Sequence, residues 1–300
     1  MRSHGFSPRL IAILQAVLVT FLWSTSWVLI KIGLRGDLPP ITFAGLRYGL
    51  ACLCLAPFVL LNRGHREALS KLSPKIWQQL ILLGIVYYTF AQGALFISLA
   101  YLPAVMVNLL LNLTPTLVAV MSLFSLKEPP SAMQWGGIAL AAIGTGIYFL
   151  PFAIQTAAFI GLAMTILAVL TSSVGSLQGR QANRDLSLPP MLITFISMSI
   201  GSLLLLGTGL TVQGFGKPTL LDWGIIAWLA VVNTAFAFTL WNTTLRTLTA
   251  VESSILNSLM MPQIAVLAVI FLGEKLAGKE IAGLVLVGIG VIVVQLKQKR

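Results

Sequence analysis

Apolar residues run through this chain in blocks of about 20, separated by short connections that hold most of its charge. The blocks fall at about 10–30, 41–61, 76–97, 104–123, 131–150, 156–177, 190–211, 222–242, 251–272 and 281–296. Blocks of that length cross a ~30 Å hydrocarbon layer as helices. The pattern therefore predicts an all-α integral membrane protein with ten transmembrane helices. Pro39-Pro40 and Pro189-Pro190 stand before the second and seventh blocks, where proline suits a first helical turn. Trp77, Trp135 and Trp223 lie near block starts, as residues of an interfacial aromatic belt do. The first block is too long for a signal-peptide core and lacks a small-residue cleavage site, so it reads as an uncleaved span.

The pattern repeats. Pro115, Glu128, Gly137 and Gly144 recur as Pro262, Glu274, Gly283 and Gly290, the prolines 147 residues apart and the other three pairs 146. A period of that size is too long for a solenoid unit and matches half a transporter. The halves read as residues 1–152 and 153–300. Five spans per half is an odd number, so the second copy enters the bilayer upside down. Such inverted repeats enclose a solute site near mid-depth, which predicts a central cavity.

Composition narrows the class. The chain is 57% hydrophobic and 9% charged, against about 25% charged in soluble domains, so a water-soluble fold is excluded. A net charge of +11 reads as cationic loops against an anionic leaflet, with no nucleic-acid partner. Placing the N-terminus inside puts thirteen Lys and Arg residues in inner segments. It leaves five outside: Lys31, Arg35, Lys217, Lys275 and Lys279. That bias places both termini in the cytoplasm and the chain in the inner (cytoplasmic) membrane. Segment 62–75 is expected as a basic cytoplasmic loop. Cys52 and Cys54, two apart in one apolar run, read as packing. Oligomeric state is left open, and the arrangement is compatible with a monomer.

Specific motifs add a resemblance. The first span reads Phe21-Leu-Trp23-Ser-Thr-Ser-Trp27-Val-Leu-Ile-Lys31, and the second opens Pro39-Pro40-Ile-Thr-Phe-Ala-Gly-Leu-Arg47-Tyr48. Pro115 with Glu128, and Pro262 with Phe-Leu-Gly-Glu274-Lys-Leu and Gly283, follow. Across essentially its whole length the chain resembles the EamA type of the drug/metabolite transporter superfamily. The resemblance implies ten helices in two inverted halves around a central cavity, commonly for export of small metabolites. Members include amino-acid exporters, some for aromatic amino acids. One departure is Ser125-Leu-Lys127-Glu128-Pro129-Pro130, which lacks the usual glycine before the glutamate.

Polar groups at membrane depth mark helix faces that look inward. Trp23, Trp27 and Lys31 recur every four residues on one stripe; they read either as an interfacial pair with an outward-snorkelling lysine or as an aromatic wall with a cation at the cavity's outer end. Tyr88, Gln92 and Phe96 share a face, as do Asn108 and Asn112, which lead to Pro115. Proline deprives the carbonyls of Leu111 and Ser258 of their helical partners, so Pro115 and Pro262 are expected to kink their helices. The second half offers Ser172, Ser173 and Ser176, then Asn233 and Trp241 on one stripe beside Asn242, then Ser253 and Asn257. The lining set is therefore Trp23, Trp27, Tyr88, Gln92, Asn108, Asn112, Ser172, Trp241, Asn242 and Asn257, with interhelical hydrogen bonding the competing reading for Ser and Asn. Gly45 and Gly49, and Gly175 and Gly179, read as helix contacts. Glu128 and Glu274 read as stabilisers of helix N-termini, and Glu252 as part of a capping box with Thr249. Arg47 reads as a snorkelling side chain, or one capping backbone carbonyls, ahead of solute binding.

Other functions fit poorly. Gly216-Lys217-Pro218 lacks the leading glycine and the Ser/Thr of a phosphate-binding loop. His4 and His65 lie outside the blocks and no Asp falls securely inside one, which argues against metal sites and aspartyl dyads. Serine–lysine chemistry through Lys31 is the remaining enzymatic alternative. Secondary transport without a cofactor is the leading expectation. The solute is a small molecule with a flat apolar part and a polar head, an aromatic or large neutral amino acid; nucleosides, sugars and organic cations are the alternatives.

Overall fold

Proline and capping residues set the helix starts. In the computed structural model, Pro40 and Pro190 occupy first helical positions after extended Pro39 and Pro189, and Pro74 follows a Ser73 cap. The structure describes residues 8–114, 117–118, 121, 131–149, 156–186, 188–244, 247–248 and 256–295. All regular structure among them is helical. The helices are α1 (Pro8–Gly33), α2 (Pro40–Leu60), α3 (Arg63–Ser70), α4 (Pro74–Tyr101), α5 (Ala104–Leu111) and α6 (Ala132–Phe149). They continue with α7 (Thr156–Asp185), α8 (Pro190–Gln213), α9 (220–244), α10 (Leu256–Leu272) and α11 (Gly278–Gln295). Five of these, α1, α2, α4, α7 and α8, are long and apolar enough to cross a membrane.

Two expectations are corrected. Segment 62–75 is not a plain loop: Asn62 accepts from the His65 N–H and starts α3. Ala68 and Leu69 of α3 pack against the ends of α2, α4, α7 and α8. The sixth span also runs on to Asp185, so Arg180 and Arg184 lie on the last turns of α7 instead of in a connection.

The duplication is visible in the irregularities. A π-helical turn, wider by one residue than an α turn, begins at Gly84 in α4 and at Val231 in α9, 147 residues apart. Helix α5 ends at Asn112, where Leu113 N–H bonds back only three residues, and α10 is interrupted at Leu259, again 147 residues on. Each break lies three residues before a landmark proline. Pro115 itself falls outside the described residues. Pro262 sits in the first turn of Met260–Leu267, where the absent N–H costs least.

Glycines allow close helix crossings. A Cβ on Gly144 would lie 2.8 Å from the Gly283 carbonyl, and one on Gly283 would lie 2.7 Å from the Gly144 carbonyl. Gly290 approaches Gly137 and Ala141 in the same way. The landmark glycines of the two copies thus press α6 and α11 together backbone to backbone. Gly45 does likewise against Leu206 of α8, whereas a Cβ on Gly49 would meet nothing within 4 Å; Gly49 borders an open groove and is not a packing glycine.

The described connections gather at two ends. At one end, Gln213 and Gly214 bond to Ile41 and Thr42, Arg35 reaches the Leu272 carbonyl, and Glu274 reaches Ala104 and Val105. At the other end the α2–α4 and α7–α8 connections share an apolar cluster. The central core, built on Phe43, Tyr48, Phe96, Leu99, Val105 and Met198, lies between.

Candidate functional site

The π turn of α9 presents two consecutive polar residues to two different helices. Asn233 is fully buried, and its amide nitrogen donates to the Leu22 carbonyl, Thr25 Oγ1 (3.0 Å) and Ser26 Oγ (2.9 Å) of α1. Thr234 faces α2, where its hydroxyl accepts from Arg47 Nε at 3.4 Å. The same hydroxyl donates to the Leu229 carbonyl five residues back, at 2.8 Å. The wide turn is what frees that carbonyl for it. Replacing Asn233 by Leu is expected to cost about 1–2 kcal/mol, the range of strong interhelical hydrogen bonds in membranes; thermal unfolding in detergent measures it.

Trp23 closes the other side of this node. Its indole N–H donates to the Asn233 carbonyl at 3.1 Å, and its ring packs on Phe238 and Trp241 at centroid distances of 5.2 and 5.3 Å. Trp27, one turn on, packs on the central core. Lys31 makes backbone contacts that neither expectation named. Its ammonium donates to the carbonyls of Leu99 (2.5 Å) and Leu102 (2.6 Å), tying α1 to the end of α4.

Arg47 corrects the sequence reading most. It is 6% exposed, so it does not snorkel, and it bonds no backbone carbonyl. Besides Thr234, its guanidinium lies 5.1 Å from the Tyr48 ring. Among the described residues no carboxylate is within ion-pair distance. Tyr48 donates its hydroxyl to Gln92 Oε1 at 2.6 Å and meets Tyr88 edge-on at 5.9 Å; Tyr88 meets Tyr87 in the same manner at 5.2 Å. Tyr88, Gln92 and Phe96 therefore all face α2, Phe96 through Phe43. By helical rise, Arg47, Gln92 and Asn233 lie roughly 10–20 Å from one end of their helices, well inside a ~30 Å layer.

The remaining lining residues disperse. Asn108, buried, donates to the Met261 carbonyl at 3.2 Å, and Asn112 bonds back onto Asn108; this pair joins α5 to α10. Ser172 is half-buried on α7, and Asn257 is exposed. The Asn242 side chain and Glu128, Ser253 and Glu252 lie outside what is described. Two apolar grooves flank the bundle. One of about 590 Å³ lies between α10 and α11 and takes in Asn112 and Pro262. One of about 480 Å³ lies between α2, α8 and α9. Neither reaches Trp23, Arg47, Tyr88 or Gln92, so neither is the expected central chamber.

Sequence reasoning passed over Tyr48, Thr234, Thr25 and Ser26. Hydroxyls in apolar runs are common, and only the long-range pairing of Thr234 with Arg47, of Thr25 and Ser26 with Asn233, and of Tyr48 with Gln92 distinguishes these four.

Comparison with known proteins agrees with this architecture. The EamA-like transporter family matches residues 10–150 and again 159–296. The chain belongs to the EamA-like transporter family. This EamA-like protein is 26% identical over 291 residues to a "Probable amino-acid metabolite efflux pump" of Escherichia coli (strain K12), covering 93% of this chain and 92% of the relative. A protein of the same description from Salmonella typhimurium has the same identity and coverage. An "Uncharacterized transporter" of Archaeoglobus fulgidus is 27% identical over 94% of this chain and 98% of its own. A solved crystal structure superposes with a TM-score of 0.66 at 18% identity, covering 94% of this chain and 96% of the other; that likeness shows the fold. As an EamA-like transporter it is a membrane protein that handles a small-molecule solute, and not an enzyme.

Proposed function

We propose that this protein is a secondary transporter that moves aromatic or large neutral amino acids out of the cytoplasm by alternating access. In this reading residues 1–152 and 153–300 form two inverted five-helix halves with ten spans in the inner membrane. Both termini are cytoplasmic, and the halves rock about the polar node of α1, α2, α4 and α9. The observation that carries it is the meeting of Arg47, Tyr48, Gln92 and Tyr88 at membrane depth, where charged and polar groups persist for solute pathways. Relatives described as probable amino-acid metabolite efflux pumps support the solute class.

The test is counterflow in proteoliposomes with amino acids, sugars, nucleosides and cationic drugs. Saturable flux of phenylalanine, tyrosine or leucine is expected, weakened by Trp23→Ala, Tyr88→Ala and Gln92→Ala. Flux of sugars or nucleosides without amino acids overturns the solute; unchanged flux in all three variants overturns the lining. Few titratable groups lie at depth, so collapse of the pH gradient is expected to leave solute equilibration largely intact. Strict dependence on that gradient would show coupling through a proton.

A further inference from the structure

We propose that Arg47 is the group that binds the solute's carboxylate, so that the transporter selects acids over the matching esters and amines. This rests on the reading of the polar node as the solute site. Arg47 is buried, bonded only to Thr234 Oγ1 and set against the Tyr48 ring, with no carboxylate partner among the described residues. An ion taken from water without compensation costs several kcal/mol, and among the described residues the fold sets against that cost one hydroxyl acceptor and one aromatic ring. Thr234 is itself fixed by its bond to the Leu229 carbonyl, so it anchors Nε and leaves the two terminal nitrogens directed elsewhere. Two parallel N–H donors match the two oxygens of a carboxylate, which a lysine at this place would not.

The surroundings specify the rest of the solute. Tyr48, Tyr88 and Tyr87 form a run of edge-to-face rings beside the guanidinium, suited to a flat side chain. The Tyr48 hydroxyl is committed to Gln92, which holds that ring in place. A cation bound here would meet Arg47 as a like charge, so organic cations and decarboxylated amines are poor solutes.

The experiment uses the full-length protein in liposomes, with phenylalanine, phenylalanine methyl ester, 2-phenylethylamine, 3-phenylpropionate and a phosphate monoester as competitors of phenylalanine counterflow. The two carboxylates are expected to compete about 10–100-fold better than the ester or amine, the range of a charge-assisted hydrogen-bonded pair. Arg47→Gln is expected to erase that preference, weakening the acids and leaving the ester unchanged, while Arg47→Lys keeps part of it. Because Arg47→Gln removes an uncompensated buried charge, its ligand-free unfolding temperature should equal or exceed that of the wild type. A fall in that temperature with the acid preference intact makes Arg47 structural and overturns the proposal. If Arg47→Gln does not fold, the wild-type comparison decides alone, supported by a several-fold loss of acid preference in Thr234→Val. Amino-acid flux with equal competition by acid and ester, or preference for the phosphate monoester, overturns this inference only. Absence of flux for every amino acid overturns the transport reading beneath it.

Discussion

Gly283→Leu is expected to abolish the folded protein. The Gly283 Cβ position lies 2.7 Å from the Gly144 carbonyl oxygen and 2.9 Å from Tyr148 backbone nitrogen. These neighbours are helix backbone and cannot rotate aside as a side chain would. A leucine forces α6 and α11 apart along a crossing that Gly290 extends by two turns against Gly137 and Ala141. The cost is at least about 3 kcal/mol, the upper range for overpacking. In lipid no hydrophobic drive pulls helices back together, because association rests on close packing itself. Gly283→Ala and Gly144→Ala should each cost about 1–3 kcal/mol. Their double variant should cost less than the sum, since one widening of the crossing relieves both clashes. Gly49→Ala is the control: nothing lies within 4 Å of its Cβ position, so helix propensity alone acts and stability is unchanged or slightly raised. Thermal unfolding in detergent, with the yield of monodisperse protein, checks the series. A Gly283→Leu protein as stable as wild type would mean that the α6–α11 contact does not exist.

The glycine crossing was half-legible. Spacing showed that Gly137, Gly144, Gly283 and Gly290 recur, and recurrence marks positions a fold cannot relinquish. That the two sets touch each other follows only from assembly in three dimensions. Helix starts at Pro40 and Pro190 were legible because proline's missing N–H leaves few places for it. The shared faces of Asn233 with Trp241, and of Tyr88 with Gln92 and Phe96, followed from simple periodicity, and in the structure each set meets one partner helix. What periodicity cannot supply is the π turn. The extra residue at Val231–Phe236 shifts the register of the faces on either side of it, and no residue type in that stretch signals it. Arg47 was misread because a cation near a span end ordinarily reaches for water. Its actual neighbour, Thr234, is 187 residues away. The partners of Lys31 were hidden for the related reason that they are backbone carbonyls, which no sequence displays.

Glu274 was read as serving a helix N-terminus, and the structure shows whose. Its two oxygens accept from Ala104 N–H at 2.6 Å and Val105 N–H at 3.1 Å, so a residue of the α10–α11 connection caps α5. Arg35 reaches the Leu272 carbonyl beside it, and Lys31 holds the preceding helix end. The first turn of a helix has N–H groups without partners and a positive dipole end, and a carboxylate satisfies both. Because this cap joins distant parts of the chain, it also ties that end of the bundle together, and under the alternating-access proposal it is expected to hold that end shut. Glu274→Ala is expected to lose about 2–3 kcal/mol, two charge-assisted hydrogen bonds discounted for partial exposure. If that loss falls on the closed arrangement alone, the open population rises about 30–150-fold. The readout is alkylation, from the side of the α10–α11 connection, of a cysteine replacing Ile30, which is buried one residue below Lys31, in a background without Cys52 and Cys54. Alkylation should accelerate in Glu274→Ala and less in Glu274→Gln, which keeps one acceptor. Asp222→Ala separates gating from simple destabilisation. Asp222 completes the capping box of Thr219 at the start of α9, at the same end, but within its own turn. Its loss should lower the unfolding temperature without speeding alkylation at position 30. Equal acceleration by both variants would reduce Glu274 to an ordinary cap and remove it from any part in opening and closing.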